Sequence, residues 1–241
     1  MLKRFLLTTA LVALGAVASP AQARLQLTLQ SGGSTFTCFD GEAGCDLAGG
    51  ANQLLTLNTT VGNIFVSGTL SASLKGPINT LQFSASSIVN EGAGVGQLRL
   101  IVSDTGFIGP VNFVTESGAL TFNENVGAPN STLAWFADPA DAQGANPLNT
   151  PGAELFSASG AAAIDPDSFD GTHADAFDAL GPYSMTEAAA LTLRAGGSIT
   201  GFEQSMAAGA VPEPSTWAML LAGFGLMGLV GMGKRRHQPA L

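Results

Sequence analysis

The sequence predicts an all-β protein with one antiparallel β-sandwich or jelly-roll-like domain. Apolar and polar residues alternate in about ten short segments, which Gly-rich turns separate. Alternation of this kind places one face of a strand in a core and leaves the other face in water. Only 11% of the residues are charged and 31 are glycine, which excludes a coiled coil or a long charged helix.

The strands are predicted where the alternation is clearest. The segments are residues 25–29, 34–39, 64–74, 81–89, 98–102, 111–114, 119–122, 131–136, 184–194 and 198–206. Ala195-Gly196-Gly197 is predicted as the turn of a last hairpin, because glycine accepts the positive φ that tight hairpin turns need. The sandwich body is predicted to span residues 24–210.

An acidic stretch interrupts this pattern at about residues 138–180. It contains eight Asp and Glu residues, several prolines and no Lys or Arg. We predict a long irregular insertion there, with one short helix near residues 173–179.

The first 23 residues read as a secretory signal peptide. Lys3 and Arg4 precede an apolar run at residues 5–17, and Ala21-Gln22-Ala23 offers small residues at the positions that signal peptidase reads. The run of 13 residues is shorter than the roughly 20 that a membrane-spanning helix needs. We therefore predict a signal-peptide helix over residues 1–23, removed by signal peptidase during export.

The C-terminal segment, residues 211–236, has three parts. Pro212, Glu213 and Pro214 come first, and proline there disfavours helix and leaves extended backbone for a protease. An apolar, glycine-rich stretch follows at residues 218–232 and is predicted to form a hydrophobic transmembrane helix that inserts transiently. Its end is marked by Lys234, Arg235 and Arg236, which stay cytoplasmic and act as a membrane stop, so the body faces outward.

These residues resemble the PEP-CTERM sorting signal of Gram-negative bacteria. The triplet Pro212-Glu213-Pro214 corresponds to the hallmark of that family, and the glycine-rich span and the basic end follow it. The same tail is also labelled as an ice-binding protein C-terminal domain. The resemblance implies export across the inner membrane, processing by a membrane-embedded exosortase, and a final place at the cell surface or in an exopolysaccharide or biofilm matrix.

Cys38 and Cys45 are the two cysteines of the chain and are predicted to form a small-loop disulfide.

Asp165, Asp167 and Asp170 are candidate calcium ligands, although their spacing departs by one residue from the EF-hand loop. A solvated acidic loop is the alternative that we favour. No firm metal site or other cofactor is predicted.

The predicted function is non-enzymatic. His173 is the single histidine of the body, and the sequence contains no recognised catalytic motif. Trp135 and Phe136 are predicted to pack in the core, and the alternative is that they stack against a sugar ring. Residues 24–211 carry four Lys and Arg against 17 Asp and Glu, a net charge of −13 that disfavours nucleic-acid partners. We expect a structural or adhesive surface protein; the alternatives are a carbohydrate- or calcium-binding module and a secreted hydrolase.

Overall fold

Two six-stranded antiparallel sheets form the body of the protein. The structure is a computed structural model that describes residues 24–74, 77–145 and 148–210, together with Phe224. The strands are β1 (Gln26–Ser31), β2 (Ser34–Phe39), β3 (Leu54–Val61), β4 (Ile64–Ser73), β5 (Ile78–Asn90), β6 (Gly96–Ile108), β7 (Phe113–Asn123), β8 (Ser131–Asp138), β9 (Ala153–Gly160), β10 (Asp167–Asp175), β11 (Pro182–Leu193) and β12 (Ser198–Gly209). The all-β prediction is therefore confirmed.

The order of the strands identifies a jelly roll. Sheet A has the order β2-β1-β6-β11-β8-β9, and sheet B has the order β10-β7-β12-β5-β4-β3. The last eight strands pair as β5 with β12, β6 with β11, β7 with β10 and β8 with β9, which is the nested pairing of a jelly roll. The β1–β2 hairpin extends sheet A beside β6, and the β3–β4 hairpin extends sheet B beside β5.

The strand register gives the sandwich two distinct ends. At one end Ser198 lies opposite Val89, and we call this the distal end. At the other end Gly209 lies opposite Ile78, and we call this the tail-side end because the C-terminal segment follows. The 12 residues of β12 run between them, a length of about 36 Å at the usual rise of a strand.

The core lies between the sheets and contains the inward-facing residues of nearly every strand. Its largest fully buried side chains are Trp135, Tyr183, Phe83, Phe107, Phe122 and Phe202. Gly118 in β7 makes room for one of them, since a Cβ at this position would lie 2.9 Å from Cζ2 of Trp135 and 2.6 Å from Cδ1 of Leu133. The absent side chain of Gly118 thus leaves room for the indole of Trp135 next to β7.

Three buried carboxyl groups stand at strand positions among apolar residues. Burial raises the pKa of Glu187 in β11 well above its ordinary value, although the backbone N–H groups of Met206 and Phe83 oppose the shift. Burial, aided by the negative charge of Asp175, raises the pKa of Glu116 in β7 to about 7. Burial likewise raises the pKa of Asp104 in β6 to about 7. In all three groups burial shifts the equilibrium toward the neutral, protonated form.

The structure corrects three sequence-based expectations in the acidic stretch and in β7, and it adds one strand. The acidic stretch 138–180 is not an irregular insertion throughout, because it contains the edge strands β9 and β10. No helix forms at residues 173–179, where the end of β10 is followed by a loop. The segments 111–114 and 119–122 are not two strands, since β7 runs through Glu116 and Gly118. β3 was not predicted at all.

The predicted last hairpin is also wrong. β11 pairs with β6 and β8 in sheet A, whereas β12 pairs with β5 and β7 in sheet B. The turn at Gly196, which has the expected positive φ of 73°, therefore crosses from one sheet to the other.

The two flanking helices predicted at the chain ends lie outside the described residues, apart from Phe224. No helix within the described part of the chain has the length and apolar character needed to cross a membrane.

The space beside Trp135 gives a prediction about Gly118. We expect Gly118→Ala to lower the free energy of unfolding by about 1–3 kcal/mol, because the new methyl group would overlap Trp135 and Leu133. Chemical denaturation measures the change. Gly94→Ala is the matched control, since a Cβ at Gly94 meets no atom within 4 Å, and an equal loss in both variants would contradict this account of the packing.

The buried carboxyl groups predict an unusual dependence of stability on pH. Their folded pKa values exceed the unfolded values of 3.8 for Asp and 4.5 for Glu, so folding takes up protons. The resulting stabilisation is fully present below about pH 4 and is lost as the pH rises through 7. We expect the free energy of unfolding to be higher at pH 5 than at pH 8.

Glu116→Gln should reduce this difference by at most about 3 kcal/mol, because the amide remains neutral at both pH values. Glu91→Gln, at an exposed loop position, is the control and should leave the difference unchanged. Stability that rises from pH 5 to pH 8 would contradict the burial of these carboxyl groups in their neutral form.

Candidate functional site

The predicted disulfide closes the loop that follows β2. Cys38 and Cys45 are bonded across a sequence separation of 7. Within the described residues, these two sulfurs and the carboxylate of Glu42 form the one group of three potential metal ligands. The sulfurs are committed to the disulfide, and Glu42 accepts a hydrogen bond from the backbone N–H of Phe39 at 3.0 Å. This group is therefore structural.

Two aspartates shape the rest of the same loop. Asp46 accepts backbone hydrogen bonds from Gly41 at 2.9 Å, Ala48 at 2.9 Å and Thr56 at 3.1 Å. Burial opposes the charged form of Asp46, but these N–H donors together lower its pKa below the ordinary value. Asp40 accepts a hydrogen bond from the N–H of Gln53 at 2.7 Å. The loop thus ties the edge strand β2 of sheet A to the edge strand β3 of sheet B.

The candidate calcium ligands do not converge in the structure. Asp165 accepts a hydrogen bond from the N–H of Glu124 at 2.8 Å, and Asp167 accepts from Ala163 at 2.7 Å and Ser168 at 2.9 Å. Asp170 lies three residues beyond Asp167 in β10, so the two side chains point to opposite faces of sheet B. Calcium binding by these residues stays a prediction.

A stack of aromatic rings runs from the core to the surface at the β9–β10 side. Trp135 is fully buried, as expected of a core residue, and stacks on Phe156 with 5.3 Å between ring centroids. Phe156 stacks in turn on His173 at 4.8 Å. His173 is about half exposed, and its Nε2 lies 3.6 Å from Oδ2 of Asp175. Phe156 bridges the edges of the two sheets, so the stack closes this side of the sandwich.

A polar cleft of about 620 Å³ opens at the distal end. Its walls come from the β1–β2, β3–β4 and β5–β6 turns and present hydroxyl, amide and backbone groups. The polar side chains that contribute are Ser31, Ser34, Asn63, Asn90 and Gln97, and Val95 adds an apolar one. None of the described residues that line this cleft is charged, so its chemistry suits an uncharged, hydroxyl-rich ligand.

Asn90 fixes the shape of this distal cleft. Its buried amide donates to the carbonyl groups of Gly94 at 2.7 Å and Arg194 at 2.8 Å, and its Oδ1 accepts from the N–H of Gly92 at 3.0 Å. The β5–β6 turn is thereby attached to the turn that follows β11. The sequence alone does not indicate this cleft, because glycine, serine and asparagine at these positions also have the composition of ordinary turns.

The predicted sorting and membrane-stop residues lie outside the described residues. They are Pro212, Glu213, Pro214, Lys234, Arg235 and Arg236. The described body ends at residue 210, one residue after β12, so the predicted motif starts directly at the tail-side end.

Two solved structures share features of this sandwich. TmCBM61, in a complex with β-1,4-galactotriose, is 14% identical over 59% of this chain and 88% of that chain, with a TM-score of 0.30. A structure described as explaining the promiscuous specificity of carbohydrate-binding modules from the β-sandwich superfamily is 15% identical over 73% of this chain and 66% of that chain, with a TM-score of 0.23. Similarities at this level assign no ligand to the present chain.

No curated protein matches the chain. Residues 210–236 match the family model of the PEP-CTERM protein-sorting motif, which confirms the resemblance noted at Pro212-Glu213-Pro214. The chain is thus a β-sandwich protein that carries a PEP-CTERM protein-sorting motif directly behind its last strand.

Proposed function

We propose that this protein is exported, processed at its tail by an exosortase, and held at the cell surface or in the extracellular matrix, where its sandwich has a structural or adhesive role within exopolysaccharide. The sorting motif supports export and exosortase processing. The proposal also includes removal of residues 1–23 by signal peptidase, transient insertion of the tail into the inner membrane of a Gram-negative cell, and a non-enzymatic body.

The position of the motif relative to the fold carries this proposal. β12 ends at Gly209, and the family match begins at residue 210. β12 is paired on both sides, by β5 and by β7, up to that last residue. A protease could therefore act on the tail without removing any residue from a sheet.

The shape of the body supports a display role. The tail leaves at one end, and the distal cleft opens at the other end, about 36 Å away along β12. A chain held by its tail would present this cleft away from the membrane. The body carries 17 Asp and Glu residues, and their negative charge repels anionic ligands. A neutral ligand is not repelled in this way, and the uncharged lining of the cleft suits such a ligand.

A second candidate is a carbohydrate-binding module, and the distal cleft is the observation that favours it. Hydroxyl and amide groups such as those of Ser34, Asn63 and Gln97 are typical hydrogen-bond partners for sugar hydroxyls. Calcium would take part in this function only if the acids near Asp167 rearranged. The carbohydrate-binding role and the structural role are both compatible with display at the cell surface. They differ in whether the body binds a specific sugar.

The sorting proposal predicts that the Pro-Glu-Pro triplet is required for maturation. We expect replacement of Pro212, Glu213 and Pro214 by alanine to leave the unprocessed chain in the membrane, as deletion of the exosortase should. Cell fractionation and mass measurement of both termini give the result. Ser215→Ala, next to the triplet, is the matched control, and unchanged maturation of the triple variant would contradict the proposal.

The binding proposal predicts that the distal cleft mediates adhesion to polysaccharide. We expect the double variant Asn63→Ala with Gln97→Ala to weaken retention of the protein by the neutral polysaccharide of the producing strain by about thirtyfold, since two lost hydrogen bonds at about 1 kcal/mol each remove about 2 kcal/mol. Affinity electrophoresis measures retention, with Thr200→Ala on the outer face of sheet B as the control.

The same experiment is repeated with a chelator. Binding that survives chelation is the expected result, because the described lining of the cleft contains no carboxylate. Binding that disappears with the chelator would favour calcium ligation instead, and equal retention of all variants would remove the cleft from the account.

A further inference from the structure

Three large apolar side chains are exposed at the tail-side end of the sandwich, around the point where the chain leaves β12. Leu180 is 91% exposed, Ile108 is 64% exposed and Ile78 is 49% exposed. Together with the exposed Pro110, they form what we call the tail-side patch. Large apolar side chains at these exposures are unfavourable in water, and grouped ones mark a contact surface.

Backbone and side-chain hydrogen bonds hold the elements of this patch together. The side-chain amide of Asn79, next to Ile78, donates to the carbonyl group of Ile108 at 2.9 Å. The N–H of Gly109 donates to the carbonyl group of Gly181, next to Leu180, at 3.3 Å. Ile78 itself lies opposite Gly209 in the β5–β12 pairing. The patch is therefore one continuous surface around the point where the chain leaves β12.

A cleft of about 420 Å³ lies inside the patch and has no polar side chain in its described lining. Leu74, Pro77, Ile108, Pro110, Val111 and Ala210 line it. Ala210 is the residue at which the sorting-motif match begins. The exit of the tail and the apolar surface thus coincide, whereas the lining of the distal cleft contains five polar side chains and one large apolar side chain, Val95.

The length of chain beyond Ala210 limits how far this surface can lie from a membrane. Trp217 precedes the apolar stretch of the tail and is seven residues from Ala210. Seven extended residues span at most about 25 Å. If the apolar stretch is inserted, as the proposed function requires, the tail-side patch lies within that distance of the lipid.

We infer that the tail-side patch rests in the interfacial region of the bilayer while the tail is inserted, with Ile108 and Leu180 as its deepest side chains. This inference depends on the tail insertion in the proposed function. The preferred lipid is zwitterionic, because the exposed Asp178 lies two residues before Leu180 and the body is strongly acidic. Shallow burial of apolar side chains stabilises such contacts in proportion to their area.

The contact sets the orientation of the body. A sandwich that rests on its tail-side end has β12 directed away from the membrane, and the distal cleft then faces outward. Because the Pro-Glu-Pro triplet begins two residues after Ala210, a contact between the patch and the bilayer would keep the triplet close to the membrane surface, where a membrane-embedded protease works.

Spin labels on the full chain in phosphatidylcholine vesicles test this contact. Ile108→Cys and Leu180→Cys place labels in the patch, and Val95→Cys and Ile164→Cys place controls at the distal end, where the native side chains are 62% and 66% exposed. The native cysteines are bonded to each other and do not react with the label. Frequent collisions with oxygen show that a label lies in lipid, and frequent collisions with a water-soluble nickel complex show that it lies in water.

We expect the labels at 108 and 180 to show several-fold fewer nickel collisions and more oxygen collisions than the two distal labels. Equal water exposure at all four sites would overturn the inference. Protection from both reagents at 108 and 180 would also overturn it, since a second copy of the chain would then cover the patch.

Flotation of the same vesicles separates the two levels of the proposal. If the chain floats while its labels remain in water, the inferred membrane contact of the patch is wrong, but the proposed insertion of the tail stands. If the chain does not float, both the patch contact and the tail insertion are wrong, because the tail then does not enter the bilayer.

Discussion

The two-sided pairing of β12 is the constraint on which the rest of this structure depends. β5 holds one edge of β12 and β7 holds the other, from Ser198 to Gly209. Because the final strand is central in sheet B, the body cannot be complete before the chain reaches residue 209. β12 ends at Gly209, so a cut beyond that residue removes no residue from sheet B.

Polar side chains join the two sheets around the same strand. Gln204 in β12 donates across the core to the carbonyl groups of Ala134 at 2.9 Å and Ala188 at 3.2 Å in sheet A. Trp135 in sheet A donates in the opposite direction to the carbonyl group of Ser205 at 3.1 Å. Apolar packing alone would allow sheet A and sheet B to slide relative to each other. These buried hydrogen bonds can form only when the two sheets have one relative position. They fix β12, and with it the tail-side end, relative to the whole sandwich.

The sequence was informative where one face of a strand is apolar and the other polar. The strands around Leu27, Val66 and Leu100 follow that rule and were predicted. β7 was divided because Glu116 and Gly118 occupy inward positions that normally hold apolar residues, and a Glu-Ser-Gly run has the composition of a turn. The periodicity could not show that a carboxyl group with a raised pKa would be buried at Glu116.

Edge strands and long-range pairing were the other sources of error. β9 and β10 contain no fully buried residue, so a few apolar residues such as Phe156 and Phe169 could not indicate strands within an acidic, proline-containing stretch. The turn at Gly196 has the same backbone preference whether the chain returns to its own sheet or crosses to the facing one. The distal cleft requires three turns that are distant in sequence, whereas the disulfide and the sorting motif are local and were identified directly.

The most direct test of the central claim is the stability of a chain that ends at Ala210, compared with the full chain by thermal unfolding. The account predicts the same cooperative transition for both, and loss of the transition when the chain ends instead at Glu203, inside β12. A chain that ends at Ala210 and fails to fold would contradict the claim, because the tail would then be part of the fold.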